Sequence, residues 1–320
     1  MSAVQTVLEA GGANVPKLME RLEQRMATIT AGYGPDLVRH TGETLAAGGK
    51  RLRPLLVFLA AGVPPPETDG IIRAAVAVEL VHSASLVHDD VLDGAALRRG
   101  RPSVVAAGGR EQATATGDLL FARAFAELAG GGSGRAVRSL SRASSALARG
   151  ELMQRADAWN VDVATSRYLE RCRLKTGVLF RAACELGAIE GGAQVDALGS
   201  FGERIGIAFQ ILDDVLDVTG PPERTGKPQG TDLLDGTATL PLILARERDP
   251  ELAVLDLRSV RAPAQAAEVC ARIAATGVLP VARRQALALV AEAKTMLPPL
   301  PQRQLEVLEL VADGVVERYT

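Results

Sequence analysis

The chain has 320 residues, a formal net charge of −2 and a hydrophobic content of 47%. This nearly balanced charge argues against a nucleic-acid-binding protein, because such proteins concentrate Lys and Arg on one face or arm. Aromatic residues make up only 3% of the chain, and the abundance of Leu, Ala and Val favours helices packed on helices over a β-sandwich. We therefore predict an all-α protein with a sizeable core.

Cysteine spacing and the termini bear on the cellular compartment. Cys172, Cys184 and Cys270 lack metal-site spacing and are interpreted as reduced core residues of a cytoplasmic protein. The first residues lack the basic start and long apolar run of a signal peptide. No window reaches the roughly 18 apolar residues that a spanning helix needs, so we expect at most peripheral membrane contact.

Apolar residues at three- and four-residue spacing predict a succession of helices. In chain order these are Val15 to Ile29, Gly34 to Ala46, a helix opened by Pro54, a long helix capped by Asp69 and ending near Gly94, Thr114 to Leu128, Ala136 to Ala156, Ser166 to Ile189 and Val195 to Val218. Pro221 and Pro222 end the last of these, and further helical stretches follow from Thr239 to Tyr319. Because no linker stands out, we predict one all-helical domain over residues 1–320.

The long helix carries the sequence DDVLD, which places Asp89, Asp90 and Asp93 on about one turn. Exposed like charges at this spacing cost about 0.2 to 0.5 kcal/mol per pair, and far more in an apolar pocket. A solvated acidic turn would explain one such cluster. The same five letters recur at Asp213 to Asp217, so two triads facing across a cavity would hold metal ions and a polyanion. Oxygen-only ligands favour magnesium.

Three basic features accompany the acidic triads. GGKRLRP runs from Gly48 to Pro54, Arg98 and Arg99 follow the first triad, and Lys175 and Lys227 lie on either side of the second. Each alone is typical of a solvated turn or a structural ion pair. Together they supply about the number of cations that two diphosphates need.

At this point the motifs resemble a known family. GGKRLRP, HDDVLDGAALRRGRPS, GDLLFARA, GELMQ, KTG, FQILDDVLD and TGKPQGTDL are similar, in order and near spacing, to those of trans-isoprenyl diphosphate synthases, also called polyprenyl synthetases. The resemblance implies an all-α isoprenoid synthase helical bundle around a central cavity. It also implies a homodimer that joins an allylic diphosphate to isopentenyl diphosphate. The implied cofactor is Mg²⁺, with three ions when substrate is bound.

The resemblance also implies roles for individual residues. Metal ligands would be Asp89, Asp90, Asp93, Asp213, Asp214 and Asp217. Further ligands of the allylic diphosphate would be Arg98, Lys175 and Lys227. The diphosphate of isopentenyl diphosphate would be bound by Gly49, Lys50, Arg53, His82 and Arg99. Polar groups near the developing carbocation would be Thr176 and Gln210. Without the resemblance, His82 would be interpreted as a packing residue.

Product length can be argued from the helix that carries the first triad. In short-chain members of the resembled family, aromatic residues four and five positions before the first aspartate form a floor, or the motif has two extra residues. Here the positions are Ser85 and Ala84, and Ala84 lies about 7 to 8 Å along the axis from Asp89. We predict a product longer than twenty carbons, stopped by Leu80, Val81 or a neighbouring helix. Geranylgeranyl diphosphate remains the alternative.

The chain departs from the resembled family in two places, and three other protein classes compete with that family. Thr237 stands where the resembled family often has Lys, and the segment after the first triad lacks the usual aromatic and Asn. A class I terpene cyclase usually has a mixed second metal site, which the second DDVLD disfavours. A regulatory subunit of a heteromeric synthase usually loses aspartates that this chain keeps. A di-iron bundle needs Glu-x-x-His pairs that His40, His82 and His88 do not supply.

Overall fold

The structure is a computed structural model that describes residues 3–31, 51–98, 100–220 and 228–317. The predicted helix Gly34 to Ala46 and the proline pair Pro221 and Pro222 lie outside this part of the chain. Helices α1 to α6 are Ala3–Ala10, Asn14–Ala31, Leu52–Ala61, Asp69–Asp93, Val104–Ala129 and Gly134–Asp157. Helices α7 to α15 are Thr165–Cys172, Val178–Gly191, Val195–Thr219, Thr231–Leu234, Leu240–Arg246, Pro250–Ala253, Pro263–Ala275, Leu279–Thr295 and Gln302–Glu317.

Short non-α segments connect some of these helices. A π-helical turn, Arg173–Gly177, joins α7 to α8, and a 3₁₀ turn, Leu257–Ser259, precedes α13. The two-residue strands β1, Leu97–Arg98, and β2, Arg101–Pro102, pair antiparallel with Leu97 opposite Pro102. Within the described residues this two-stranded hairpin is the only sheet, and the other elements are helices. The predicted all-α fold is therefore confirmed.

The chain forms two compact units. The first is Met1–Ser144, Leu179–Gly202 and Met296–Val311, and the second is Ser145–Val178, Glu203–Thr295 and Ala312–Thr320. The assignment of one all-helical domain over residues 1–320 remains a prediction.

The first unit is built around the pair α4 and α5, which pack along their lengths. Leu80 and Val87 of α4 and Leu120 of α5 are buried, as expected for long apolar helix faces. Helix α8 lies directly against the backbone of α3. A Cβ atom at Gly187 or Gly191 would collide with the carbonyl groups of Val57 or Ala61. Only glycine permits this close approach.

The second unit has its core among α7, α9 and the C-terminal helices. Tyr168 of α7 and Ile211 of α9 are buried there, as is Ile273 of α13. Cys270 of α13 lies where a side chain at Gly230 would be, and Gly230 adopts a φ of 74°. This left-handed conformation starts α10 close to α13, because glycine adopts it without steric cost.

Several predicted helix boundaries were wrong. Thr68, not Asp69, is the N-cap of α4, since its hydroxyl accepts a hydrogen bond from the amide of Ile71. Helix α5 begins at Val104 rather than Thr114, with Ser103 as its cap and a break at Gly109. The stretch Ser166 to Ile189 is divided by the π-helical turn. The predicted end of α4 near Gly94 is confirmed, because Gly94 has a φ of 61°.

The expectation that no segment is long and apolar enough to cross a membrane was also wrong. Helix α4 has 25 residues and an 18-residue window with mean hydropathy 1.5, of which 72% is buried inside the protein. A buried core helix passes this test as readily as a spanning one, so α4 is weak evidence for a membrane.

All three cysteines are free and buried. Burial raises the pKa of each thiol, to about 12 for Cys270. They fit the predicted description as reduced core residues, because a buried thiol with a raised pKa is unreactive.

Candidate active site

The first aspartate triad lies at the C-terminal end of α4. Asp93 is the last residue of the helix, and Asp89 and Asp90 lie one turn earlier. The carbonyl end of a helix carries a partial negative charge, so carboxylates here are destabilised by the helix as well as by each other. The second triad repeats this placement, since Asp213, Asp214 and Asp217 lie within the last two turns of α9. A divalent cation would offset both effects at each triad.

The three carboxylates of the first triad differ in their surroundings. Asp90 is 1% exposed, Asp89 is half-buried and Asp93 is exposed. Arg98 of β1 donates to Asp90 through Nε at 2.9 Å and makes a second, shorter contact through Nη2. Burial raises the pKa of Asp90, and the guanidinium of Arg98 offsets only part of that increase. Arg98 is thus paired with a triad carboxylate here, whereas the sequence predicted a diphosphate ligand.

Other predicted binding residues of the first unit lie on α3 and α4. The guanidinium of Arg53, in the first turn of α3, lies 4.8 Å from the ring centre of Phe180. His82 is half-buried on α4, two turns before Asp89. Four of the predicted substrate ligands lie outside the described residues: Gly49, Lys50, Arg99 and Lys227.

The predicted chain-length residues line the same helix. Ala84 and Val81 are completely buried, and Ser85 is half-buried with its hydroxyl donating to the carbonyl of His82 at 2.8 Å. Leu80 is buried as well. The structure therefore places small side chains in the packed interior just before the triad.

The second triad is organised by hydrogen bonds within the second unit. Tyr168 donates to Asp214 Oδ2 at 2.6 Å, and Gln210 Nε2 donates to Asp214 Oδ1 at 2.8 Å. Complete burial raises the pKa of Asp214 to about 7, although these two donors oppose the increase. The backbone amide of Asp232 donates to Asp217 Oδ2 at 3.2 Å. Asp213 is half-buried.

Lys175 and Thr176 are presented by the π-helical turn, a feature that is frequent at functional sites. Lys175 Nζ donates to the carboxylate of Glu151 and, at 2.9 Å, to Gln154 Oε1. Burial is the largest influence and would raise the pKa of Glu151, but the charges and hydrogen bonds of Lys175 and Arg155 together outweigh it and lower the pKa. Thr176 donates to Gln210 Oε1 at 2.8 Å. The resemblance implied a shared role for Thr176 and Gln210, and the structure places their side chains in direct contact.

The loop that carries Thr237 is held in place by residues that the sequence did not single out. The ring of Trp159 fills the space where a side chain at Gly236 would lie, and Trp159 donates its amide to Gly236 at 2.7 Å. The buried guanidinium of Arg171 donates to the carbonyl of Ala238 at 2.5 Å. Thr237 itself is half-buried, and its side chain carries no charge.

The described residues contain no three His, Cys, Asp or Glu side chains already converged as a metal cluster. Asp90 faces Arg98, and both oxygens of Asp214 accept hydrogen bonds from the protein. The donor set nevertheless fits a hard divalent cation, because each triad offers carboxylate oxygens at the negative end of a helix.

Comparison with known proteins identifies the family. The polyprenyl synthetase family model matches residues 35–275. The chain belongs to the polyprenyl synthetase family. It is 44% identical over 226 residues to heptaprenyl diphosphate synthase component 2 of Geobacillus stearothermophilus, covering 70% of each chain. It is 34% identical to a short chain isoprenyl diphosphate synthase of Methanothermobacter thermautotrophicus, over 94% of this chain and 97% of the relative.

A solved structure extends the likeness to the whole fold. The polyprenyl synthase from Caulobacter crescentus, complexed with calcium and isoprenyl diphosphate, has a TM-score of 0.89 and 35% identity, covering 99% of this chain and 98% of that one. As a polyprenyl synthetase, the chain is a prenyltransferase of isoprenoid biosynthesis. The family uses a divalent metal, and its substrates are an allylic diphosphate and isopentenyl diphosphate.

Tyr168, Glu151 and Gln154 contact predicted site residues and were not singled out from the sequence. Glu151 and Gln154 lie within GELMQ, a motif recognised without a role, and the structure shows them binding Lys175. Tyr168 carries no local signal, because a tyrosine on an amphipathic helix is most often a packing residue.

Proposed function

We propose that this chain is a magnesium-dependent polyprenyl diphosphate synthase that makes products longer than twenty carbons. The observation that carries the metal requirement is the placement of both aspartate triads at the C-terminal ends of α4 and α9. Six carboxylates at two negative helix ends favour hard cations and the diphosphate that such cations bind. The calcium and isoprenyl diphosphate named for the Caulobacter crescentus structure are consistent with this pairing.

Each triad has a proposed role in binding. Asp89, Asp90 and Asp93, and Asp213, Asp214 and Asp217, would hold three Mg²⁺ ions, which when bound neutralise the charge that gathers on the leaving diphosphate. Arg98, Lys175 and Lys227 would bind the allylic diphosphate. Gly49, Lys50, Arg53, His82 and Arg99 would bind isopentenyl diphosphate.

The proposed reaction is a head-to-tail prenyl transfer. Basic side chains stabilise the departing diphosphate while the allylic carbon–oxygen bond breaks, and the double bond of isopentenyl diphosphate forms the new carbon–carbon bond. Thr176 and Gln210 present their oxygen atoms to the developing cation. The released diphosphate takes the proton lost from the condensed product. Holding both substrates together supplies much of the rate enhancement.

Small residues before the first triad support the chain-length proposal. Ala84 and Ser85 offer no aromatic floor, and the relatives include a heptaprenyl synthase component. The short-chain relative supports the alternative, geranylgeranyl diphosphate. Incubation of farnesyl diphosphate with excess isopentenyl diphosphate and magnesium distinguishes them. Products beyond twenty carbons are expected, whereas a twenty-carbon end product would refute the long-chain proposal.

A substitution at Ala84 tests the same proposal from the protein side. Ala84→Phe should shorten the product, because a bulky ring would occupy the position one turn before the triad. Ala126→Phe, at an exposed position of α5, is the control and should leave product length unchanged. An unaltered product from the Ala84 variant would place the length determinant elsewhere.

We also propose that the chain is a cytoplasmic homodimer with at most peripheral membrane contact during product release. A second candidate is one subunit of a heteromeric synthase, favoured by the words "component 2" in the name of the Geobacillus stearothermophilus relative. Light scattering and diphosphate release by the purified chain separate the two. The homodimer is supported if the purified chain is a dimer that releases diphosphate without a second protein and stops doing so when EDTA is added. Release only after a second protein is added supports the heteromer.

A further inference from the structure

Four polar side chains in the second unit form an unbroken line of hydrogen bonds, here called the polar chain: Thr176, Gln210, Asp214 and Tyr168. Thr176 donates to Gln210 Oε1 at 2.8 Å, and Gln210 Nε2 donates to Asp214 Oδ1 at 2.8 Å. Tyr168 donates to Asp214 Oδ2 at 2.6 Å. Every link has normal geometry and a defined donor.

The chemistry of the polar chain fixes which way the Gln210 amide faces. An ionised carboxylate only accepts hydrogen bonds, so Asp214 in that form selects the NH₂ end of the neighbouring amide and leaves the carbonyl oxygen on the opposite side. Asp214 therefore directs the Gln210 carbonyl oxygen toward Thr176. Without an anchored carboxylate, either end of the amide would suit the threonine hydroxyl, since a hydroxyl both donates and accepts.

Tyr168 anchors that carboxylate from the interior. Its side chain is 1% exposed, so it has no access to substrate from solvent. The guanidinium of Arg171 lies 5.6 Å from the ring centre and restricts the ring further. With one oxygen of Asp214 held by Tyr168, the other is aimed at Gln210.

We propose that Tyr168 is a positioning residue for prenyl transfer, which holds Asp214 so that the carbonyl oxygen of Gln210 faces the developing carbocation. The inference rests on the proposed function for the place of the cation. The physical reason is that a carbonyl oxygen stabilises nearby positive charge, whereas a rotated amide would present its NH₂ group and oppose it.

The first test is Tyr168→Phe, which removes the hydroxyl and keeps the ring. We expect kcat to fall about tenfold, with the KM for isopentenyl diphosphate and the magnesium concentration for half-maximal rate changed less than about threefold. Thr30→Val is the matched control, because the buried Thr30 hydroxyl donates only to carbonyls of its own helix in the described contacts. It should leave kcat unchanged. A variant with wild-type kcat, or one with a raised magnesium requirement, overturns the proposal.

A double-mutant cycle tests whether Tyr168 acts through Gln210. Gln210→Ala should lower kcat by itself, and adding Tyr168→Phe should lower it no further, because the link being removed is already absent. Two independent, additive losses overturn the proposal, since they would mean that Tyr168 acts by another route.

A third readout needs neither metal nor turnover. The side-chain NH₂ resonances of Gln210, assigned by their loss in Gln210→Glu, should shift in Tyr168→Phe and not in Thr30→Val. An unshifted signal overturns the proposed link in the polar chain. If the wild-type protein forms no prenyl product, the proposed function fails, and this spectrum still decides whether Tyr168 orients Gln210.

Discussion

Arg51, just before α3, is a single side chain that links the start of that helix to α2 and α4. It lies in the left-handed region, with φ 43°, and its guanidinium donates to Glu79 at 2.6 Å and to Glu23 at 2.6 Å. Burial alone would lower the pKa of Arg51, but the two carboxylates outweigh burial and raise it. Glu79 is 3% exposed, and among the described residues Arg51 is its cation.

Replacing Arg51 should therefore destabilise the fold strongly. We expect Arg51→Met to lower the free energy of unfolding by about 3 to 5 kcal/mol, because it leaves the Glu79 carboxylate buried without its cation. Urea denaturation measures this change. Arg258→Met is the control, because Arg258 and its partner Asp256 are both exposed and its guanidinium lies as far as 6.0 Å from the ring centre of Trp159; it should change stability by less than about 1 kcal/mol. Equal effects of the two substitutions would contradict the prediction.

Asp214 makes stability depend on pH in a direction opposite to that of an ion-paired carboxylate. Its folded-state pKa, about 7, lies above the ordinary value of 3.8, so between these values the folded protein holds the proton more tightly than the unfolded chain. Its contribution to stability is present below about pH 4 and is lost as pH rises through about 7.

The expected outcome is a pH-dependent difference between the wild-type protein and Asp214→Asn. Measured by urea denaturation in EDTA from pH 5 to 7.5, the wild-type advantage should shrink as pH rises, by at most about 1.4 kcal/mol per pH unit. Thr30→Val, which removes no titratable group, should show a constant difference. A constant difference for the Asp214 variant would show that its carboxyl does not titrate in this range.

For single residues, the sequence gives the residue type but not whether the side chain is buried. Asp214 was predicted as a site residue, yet its bond to Tyr168 was not, because the two residues are far apart in the chain and come together only through packing. Arg51 was similarly passed over within GGKRLRP in favour of its neighbours Lys50 and Arg53. Nothing local distinguishes a buried arginine from a solvated one.

Among the elements, the π-helical turn Arg173–Gly177 depends on a close approach by α6. A Cβ atom at Gly150 would lie 2.9 Å from both Leu174 Cβ and Lys175 Cγ. Glycine inside a helix is ordinarily replaced with a gain in stability, so its presence here reflects this contact rather than helix propensity.

Gly150→Ala should therefore fail to give the usual stabilisation. We expect a loss of stability of about 1 kcal/mol or more, because the added methyl group displaces the turn that presents Lys175. Gly134→Ala, at the start of the same helix α6, is the matched control, since its new Cβ would meet only the end of Arg138 at 3.4 Å, and it should stabilise by about 0.4 to 1 kcal/mol. Thermal unfolding of both variants checks the contrast, and a stabilised Gly150 variant would contradict it.

Element prediction succeeded where apolar periodicity and glycine stops were clear, as at the end of α4. It failed at the start of α5, where Ser103 caps a helix that begins ten residues before Thr114 and continues through the break at Gly109. The π-helical turn was missed because its sequence is compatible with an uninterrupted α-helix.

For the whole molecule, ligand binding should increase the stability of the folded protein. Magnesium and inorganic diphosphate together should raise Tm, because a ligand at 100 times its Kd adds about 2.7 kcal/mol to the folded state. EDTA should reverse the shift, and Asp213→Asn should lose most of it. A full shift in EDTA, or in that variant, would contradict a role for the triad in metal binding.

The family and the all-α class followed from ordered motifs and composition, both of which are properties of the chain itself. Subunit composition and product length do not follow in the same way, since they depend on surfaces and depths set by several helices at once. The sequence shows that Ala84 is small, but the depth available to the product beyond Ala84 depends on which side chains pack around it in the interior.

The three buried thiols can report the opening of the folded protein. A thiol reagent can modify Cys184 only in molecules whose first unit has opened, and Cys172 or Cys270 only in those whose second unit has opened. Comparing the modification rate at Cys184 with those at the other two would show whether the units open together, as one cooperative domain does, or separately. The native chain thus carries its own reporters of cooperativity, without any added label.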